Sequence, residues 1–186
     1  PVAAGMAGGS SNAAAVLVGM NRLFSLGLNQ EQLMERGVVL GADVPYCIMR
    51  GTALAEGIGE KLTKLPAMPK CYILIAKPPI NVSTKFVYEN LHANSLTYHP
   101  DIDAMVQGLE NQSLEQIADC MGNVLETVTI EMHPKIAEIK TRLMELGAEG
   151  ALMSGSGPTV FGIFENMVQA ATAFDAIKEK GMAREI

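Results

Sequence analysis

Apolar positions along this chain gather in short runs separated by turn residues, and the spacing inside each run predicts its element. Ala13, Ala14, Ala15, Val16, Leu17, Val18, Met20 and Leu23 form an apolar, helix-favouring run. Ser10, Ser11 and Asn12 precede it, and such residues cap helix starts by accepting bonds from free backbone N–H groups. A helix is therefore expected to begin near Ser10 or Ser11. A second helix is expected from about Asn29 to Leu40, followed by a loop through Gly41, Asp43 and Pro45. The stretch "RGTALAEGIGEKLTKLP" alternates in short pieces around Gly57 and Gly59, which predicts an edge hairpin. Pro66 and Pro69 then mark the clearest boundary, so residues 1–66 and 70–186 are expected to form two domains.

Beyond the boundary, "KCYILIAKPP" is a β-prone run closed by two prolines, most simply a buried strand. Helices are expected from Ser83 to Leu91, near Asp101 to Glu110, from Ser113 to about Glu126, and from His133 to Leu146. Pro134 at the first helical position and Gly147 past the end support the last of these. "GAEGALMSGSGPTVFGIFEN" reads as strand, glycine-rich turn, strand. A final helix from Met167 to Lys180 places Val168, Ala171, Phe174 and Ile177 on one face. Strand, helices, strand, strand, helix is the order of a split βαβ sandwich lacking its last strand, so the fold class is α/β (α+β). No internal repeat or low-complexity tract is present.

Composition narrows the partners. A chain of 186 residues with 48% hydrophobic content can bury a real core. The net charge of −6, with four Tyr, five Phe and no Trp, argues against nucleic acid and for a small-molecule partner. No apolar run is long enough to span a bilayer, and no signal-peptide pattern opens the chain. Cys47, Cys71 and Cys120 are too scattered for a disulfide framework or a zinc site and read as cytoplasmic thiols. His92, His99 and His133 are equally dispersed, and the twelve Met read as adaptable core filling.

Candidate chemistry concentrates at the start of the first helix. Gly5, Gly8, Gly9, Ser10 and Ser11 directly precede the apolar run, so unpaired N–H groups and the positive end of a helix dipole would face a loop whose glycines let an anion approach. That is a phosphate cradle, or else an ordinary glycine-rich loop with a serine cap. The P-loop ending Gly-Lys-Ser/Thr is lacking, as is a GxGxxG after a strand. Asp43 stands two residues before Pro45; Val44, as the residue before proline, should be extended and would fix the direction of the carboxylate. Asp43 could instead cap a local turn. Glu56 and Glu60 could pair on a metal, but an exposed hairpin face explains them better.

Three stretches together, "PVAAGMAGGSSNAAA", "LGADVPYCIMRGTALAEGIGE" and "SGSGPTVFGIF", resemble the GHMP kinases, the small-molecule kinases that include galactokinase, homoserine kinase and mevalonate kinase. The resemblance covers essentially the whole chain. It implies a two-domain fold, a ribosomal protein S5 domain 2-like N-terminal part, incomplete here, and a ferredoxin-like C-terminal domain, with the active site between them. It further implies ATP along Pro1, Val2, Ala3, Ala4, Gly5, Met6, Ala7, Gly8, Gly9, Ser10 and Ser11, and Mg²⁺ with Ser10 or Ser11 as hydroxyl ligands. Asp43 takes the place of the family's catalytic carboxylate. Ser83 and Thr84, with Ser154, Gly155, Ser156 and Gly157, fall where relatives meet the acceptor.

The Gly-Ala-Asp-Val-Pro element narrows the implied acceptor to the 2-hydroxyl of 4-diphosphocytidyl-2-C-methyl-D-erythritol, in the non-mevalonate route to isoprenoid precursors, and the implied assembly is a monomer or weak homodimer. Relatives begin with a further stretch that holds a lysine beside the catalytic Asp and the cytosine pocket. The chain is therefore expected to be a fragment, inactive alone. Two other readings share parts of this pattern: another family member acting on a sugar or amino acid, which should lack Gly-Ala-Asp-Val-Pro, and a non-catalytic nucleotide-binding domain, which would not need Asp43.

Overall fold

The structure, a computed structural model, describes residues 4–185; Pro1, Val2 and Ala3 of the expected nucleotide loop lie outside the described residues. Two compact units emerge, one from residues 7–67 and the other from residues 68 onward together with residues 4–6.

The first unit is built from helices α1 (Gly8–Leu23), α2 (Gln30–Val38) and α3 (Val44–Met49), followed by strands β1 (Ala53–Glu56) and β2 (Lys61–Lys64). Ala14 of α1, Leu33 of α2 and Val44 and Ile48 of α3 form its core, with Leu17, Val18 and Met34 packed around them. Helix α2 starts at a capping box: Asn29 Oδ1 accepts the Gln32 N–H at 2.9 Å, and Gln32 Oε1 accepts the Asn29 N–H at 3.0 Å. The expected hairpin is present, with β1 and β2 antiparallel from Ala53 opposite Lys64 to Glu56 opposite Lys61. Its turn is tied by Glu60, whose carboxylate accepts the Ile58 N–H at 2.7 Å.

Three expectations for this unit need correction. Helix α1 begins at Gly8, ahead of the serines: Ala7 turns the chain in the left-handed region (φ 47°, ψ 33°), and no side chain caps the start. The two glycines complete part of a turn that the capping rule assigns to the loop. Helix α2 ends at Val38, short of Leu40. The stretch expected as a loop through Pro45 is helix α3, and Val44 is its first residue rather than extended. Proline at the second helical position costs no hydrogen bond, because first-turn N–H groups have no intrahelical partner. Burial of Val44 to 1% exposure outweighs the local bias of a residue before proline.

The second unit runs β3 (Tyr72–Ala76), α4 (Thr84–Asn90), α5 (Ile102–Glu110), α6 (Leu114–Asp119), α7 (Glu126–Met132), α8 (Lys135–Glu145), β4 (Gly150–Met153), β5 (Val160–Phe164) and α9 (Met167–Glu179). The sheet order is β3-β5-β4, all antiparallel. An isolated antiparallel bridge joins Lys77, just past β3, to Glu185. Strand alternation sends Leu74, Ala76, Met153, Val160 and Phe164 toward one face, where they meet Ile136, Ile139 and Leu143 of α8 and Ala173 and Ile177 of α9. Helices on one face of an antiparallel sheet in this order make the ferredoxin-like arrangement.

The helix expected from Ser113 to about Glu126 stops at Asp119 as α6, residues 120–125 are non-helical, and α7 is a further helix beyond the expected set. The break has a tertiary cause. A Cβ on Gly122 would stand 2.7 Å from the Tyr98 hydroxyl, so the chain passes close there, and Asn123 turns its amide toward the strand end, donating to Met153 O at 2.8 Å and Gly155 O at 2.7 Å. Pro134 occupies the cap position of α8 rather than its first helical residue.

Candidate active site

The start of α1 presents unpaired donors. The first helical bond runs from the Ser11 N–H to Ala7 O at 2.8 Å, and among the described residues the N–H groups of Gly8, Gly9 and Ser10 have no protein partner. Three adjacent N–H groups at the positive end of a sixteen-residue helix suit an oxyanion. A Cβ on Gly9 would meet nothing within 4 Å, so the approach to this backbone is open. The Ser10 hydroxyl lies 3.8 Å from where a Cβ on Gly41 would stand, which sets it beside the Gly41–Asp43 loop. Ser11 instead lines a shallow groove with Cys47 and Arg50.

Asp43 is exposed at the cap of α3, and its side chain makes no capping bond. Its backbone carbonyl accepts the Cys47 N–H at 3.1 Å. Among the described residues the carboxylate has no hydrogen-bond or ion-pair partner, which leaves it available as a base or an anion contact. One turn along α3, the Cys47 thiol is pushed above its ordinary value, first by burial and then by the Asp43 charge. A phosphate chain fits the open N–H groups. For Mg²⁺ the residues offer the Ser10 hydroxyl, sufficient for an ion that takes most of its ligands from phosphate oxygens and water. No cluster of three or more His, Cys, Asp or Glu able to hold a metal occurs among the described residues, so Glu56 and Glu60 gain no third ligand there.

The second unit gathers the remaining candidates around the turn after β4. Ser154 Oγ donates to Gly5 O at 2.7 Å. Gly5 adopts φ 68°, and a Cβ there would collide with the Ser154 carbonyl, so this glycine is required by packing rather than by anion access. Ser156 is buried and shares a hydrogen bond with Thr84 at 2.8 Å, joining two candidates 72 positions apart. Ser83 is occupied otherwise: its hydroxyl caps α4 by accepting the Phe86 N–H at 3.3 Å. Gly155 and Gly157 carry the turn itself, with φ of 55° and 84°.

Two residues that hold this turn escape sequence reasoning. Asn123, which bonds Met153 O and Gly155 O, falls inside the stretch expected as continuous helix. Thr129 Oγ1 donates to Ser156 O at 3.2 Å, a long-range partner that no local pattern announces.

Comparison with known proteins places this geometry in context. The profile of the GHMP kinases N terminal domain matches residues 1–51, and that of the GHMP kinases C terminal matches residues 105–182. The 4-diphosphocytidyl-2-C-methyl-D-erythritol kinase of Lachnospira eligens is 58% identical over 186 residues, covering 100% of this chain and 65% of the relative. The enzyme of the same name from Lachnoclostridium phytofermentans is 61% identical over 174 residues, 94% of this chain and 60% of the relative. The chain thus spans less than two thirds of the curated relatives it matches. Among solved structures, a 4-(cytidine 5'-diphospho)-2C-methyl-D-erythritol kinase aligns with a TM-score of 0.80 and 31% identity, over 96% of this chain and 64% of that one. A homoserine kinase from Cytophaga hutchinsonii aligns with a TM-score of 0.77 over 95% of this chain and 64% of that one, and at 22% identity it shares the fold.

Proposed function

The chain belongs to the GHMP kinases, and from that premise we propose that the protein transfers the γ-phosphoryl group of ATP to the 2-hydroxyl of 4-diphosphocytidyl-2-C-methyl-D-erythritol. The observation that carries the reading is the 58% identity, along the whole chain, to a relative named as that kinase. The site chemistry agrees with it. The N–H groups of Gly8, Gly9 and Ser10 bind phosphate oxygens at the start of α1, where the helix dipole adds to their pull. Asp43 accepts the proton of the acceptor hydroxyl, a task suited to a carboxylate with no other partner. Within the second unit, the resemblance assigns the acceptor to Thr84 and Ser156, whose hydroxyls share a hydrogen bond. Mg²⁺, held through Ser10, supplies charge neutralisation on the phosphates when bound. With both reactants soluble, we place the enzyme in the cytoplasm; no helix among the described residues is long and apolar enough to cross a membrane.

The test is an assay of this chain completed to full length with the remaining sequence of the Lachnospira relative. Formation of ADP and of a monophosphate ester on the methylerythritol unit is the expected outcome. Turnover on homoserine or a hexose in place of this acceptor would refute the substrate assignment, and no turnover on any alcohol would refute the activity.

A further inference from the structure

Lys77 stands at the end of the sheet from which the turns of the second unit depart. Strand β3 leaves through Lys77 into the stretch that reaches the α4 cap at Ser83, and β4 leaves through Met153 into Ser154–Gly157. Extending the β3–β5 register by one residue sets Lys77 opposite Thr159, and the Thr159 carbonyl accepts the Ser154 N–H at 2.8 Å. Lys77, Thr159 and Ser154 are therefore one row across the sheet, on the face turned away from α8 and α9. At the Ser154 end of the row lies the carbonyl of Gly5. At the other end the Lys77 backbone is fixed by bonds with Glu185 and Arg184, both at 2.8 Å.

The Lys77 residue is 5% exposed, yet among the described residues its ammonium has neither an ion pair nor a hydrogen bond. Glu185, opposite it across the bridge, is exposed and does not come within ion-pair distance. The stem is buried while the ammonium is not among the fully buried atoms, so an anion can reach a cation that no described protein group has neutralised. We propose that Lys77 is a phosphate-binding residue, whose ammonium takes an oxygen of a di- or triphosphate chain at this end of the sheet. The assignment rests on the kinase reading for the identity of the anion. Lysine suits the role as a point charge at the tip of a stem that packs against the sheet.

The experiment measures binding separately from catalysis. Calorimetric affinities for pyrophosphate, ADP and CDP are determined on the completed full-length protein, the Lys77→Met variant, which keeps the stem, and the Lys77→Arg variant, which restores the charge. Lys77→Met is expected to weaken pyrophosphate binding by about 10- to 100-fold, the scale of a hydrogen bond to a charged group, with Lys77→Arg recovering most of the loss. Weakening confined to ADP assigns the contact to the nucleotide donor, and weakening confined to CDP assigns it to the acceptor diphosphate. Unchanged affinities in a folded Lys77→Met variant, or a parent protein that binds none of the three, would overturn the proposal. So would a loss that Lys77→Arg fails to recover, since the stem and not the charge would then matter. Pyrophosphate binding that depends on Lys77 in a protein without kinase turnover would refute the kinase reading and leave this contact standing.

Discussion

Asp43 and Cys47 share one turn of α3, and their chemistry is coupled through that spacing. Replacing Asp43 by Asn keeps the size of the side chain but removes the proton acceptor. Turnover of the completed protein is expected to fall by about 10² to 10⁴, the usual worth of a general base, while calorimetry finds ATP affinity within a few-fold of the parent. Activity within a few-fold would reduce Asp43 to a positioning role. The same substitution reports on Cys47. Its raised thiol value comes mainly from burial and secondarily from Asp43, so the thiol is expected to react slowly with iodoacetamide near neutral pH. Removing the Asp43 charge lowers that value and speeds alkylation modestly, with the burial effect remaining. A slower reaction in Asp43→Asn would contradict this electrostatic account. The Gly-Ala-Asp-Val-Pro element singles out Asp43 in the sequence; its place at the cap of a helix was not legible, because the burial of Val44 is a tertiary fact that a proline rule cannot contain.

At the scale of elements, two glycines of one loop serve different physical ends. Gly5 lies against the Ser154 carbonyl with φ 68°, whereas Gly9 faces open space inside a helix. Gly5→Ala is expected to lower thermal stability severely, through collision and left-handed strain together. Gly9→Ala leaves stability unchanged or raises it by about 1 kcal/mol through helix propensity, and a larger Gly9→Val blocks phosphate from the N–H groups and weakens ATP binding. Thermal melts with ATP titration separate the two glycines; equal destabilisation by both alanine variants would count against this division.

The hairpin offers a pH test. Bonds from backbone N–H groups, its own first and then that of Ile58, hold the Glu60 carboxyl below its ordinary value. The contribution to the turn is therefore fully present above the ordinary carboxylate range and is lost as pH falls through the lowered value. The Ile58 amide signal should titrate with Glu60 in that acid window, and in Glu60→Gln it should not titrate there. Helices with cap residues in the sequence, such as α2 behind Asn29 and α5 behind Asp101, were legible at their starts nearly to the residue. The break between α6 and α7 was not, because Gly122 and Asn123 answer to Tyr98 and to the β4 turn.

Over the whole molecule, the second unit draws its stability from one apolar layer between the sheet and helices α8 and α9. Leu143 is fully buried at its centre, and Leu143→Ala is expected to cost about 2 to 5 kcal/mol by denaturant titration. A cost below about 1 kcal/mol would show that the layer repacks around the void. The β-prone runs that build this layer were readable in the sequence, but the run expected as a buried strand turns Ile73 and Ile75 outward, an alternation its all-apolar pattern hides. The face of the sheet carrying Lys77 was not readable, because the register that aligns it with Thr159 and Ser154 exists only once the strands have paired.

The bond from Ser154 to Gly5 spans 149 positions, and residues 7–67, a compact unit of their own, intervene between Gly5 and the unit it joins. In kinetic terms it is a contact of very high order, made only after a long loop has closed. On a ribosome adding about 5 to 20 residues per second, Gly5 waits for roughly 7 to 30 seconds before its partner has been synthesised. Residues 7–67 have that interval in which to fold, while the segment ahead of them stays unpaired. Maturation of the glycine loop is thus timed by a segment made 149 positions later rather than by its own neighbourhood.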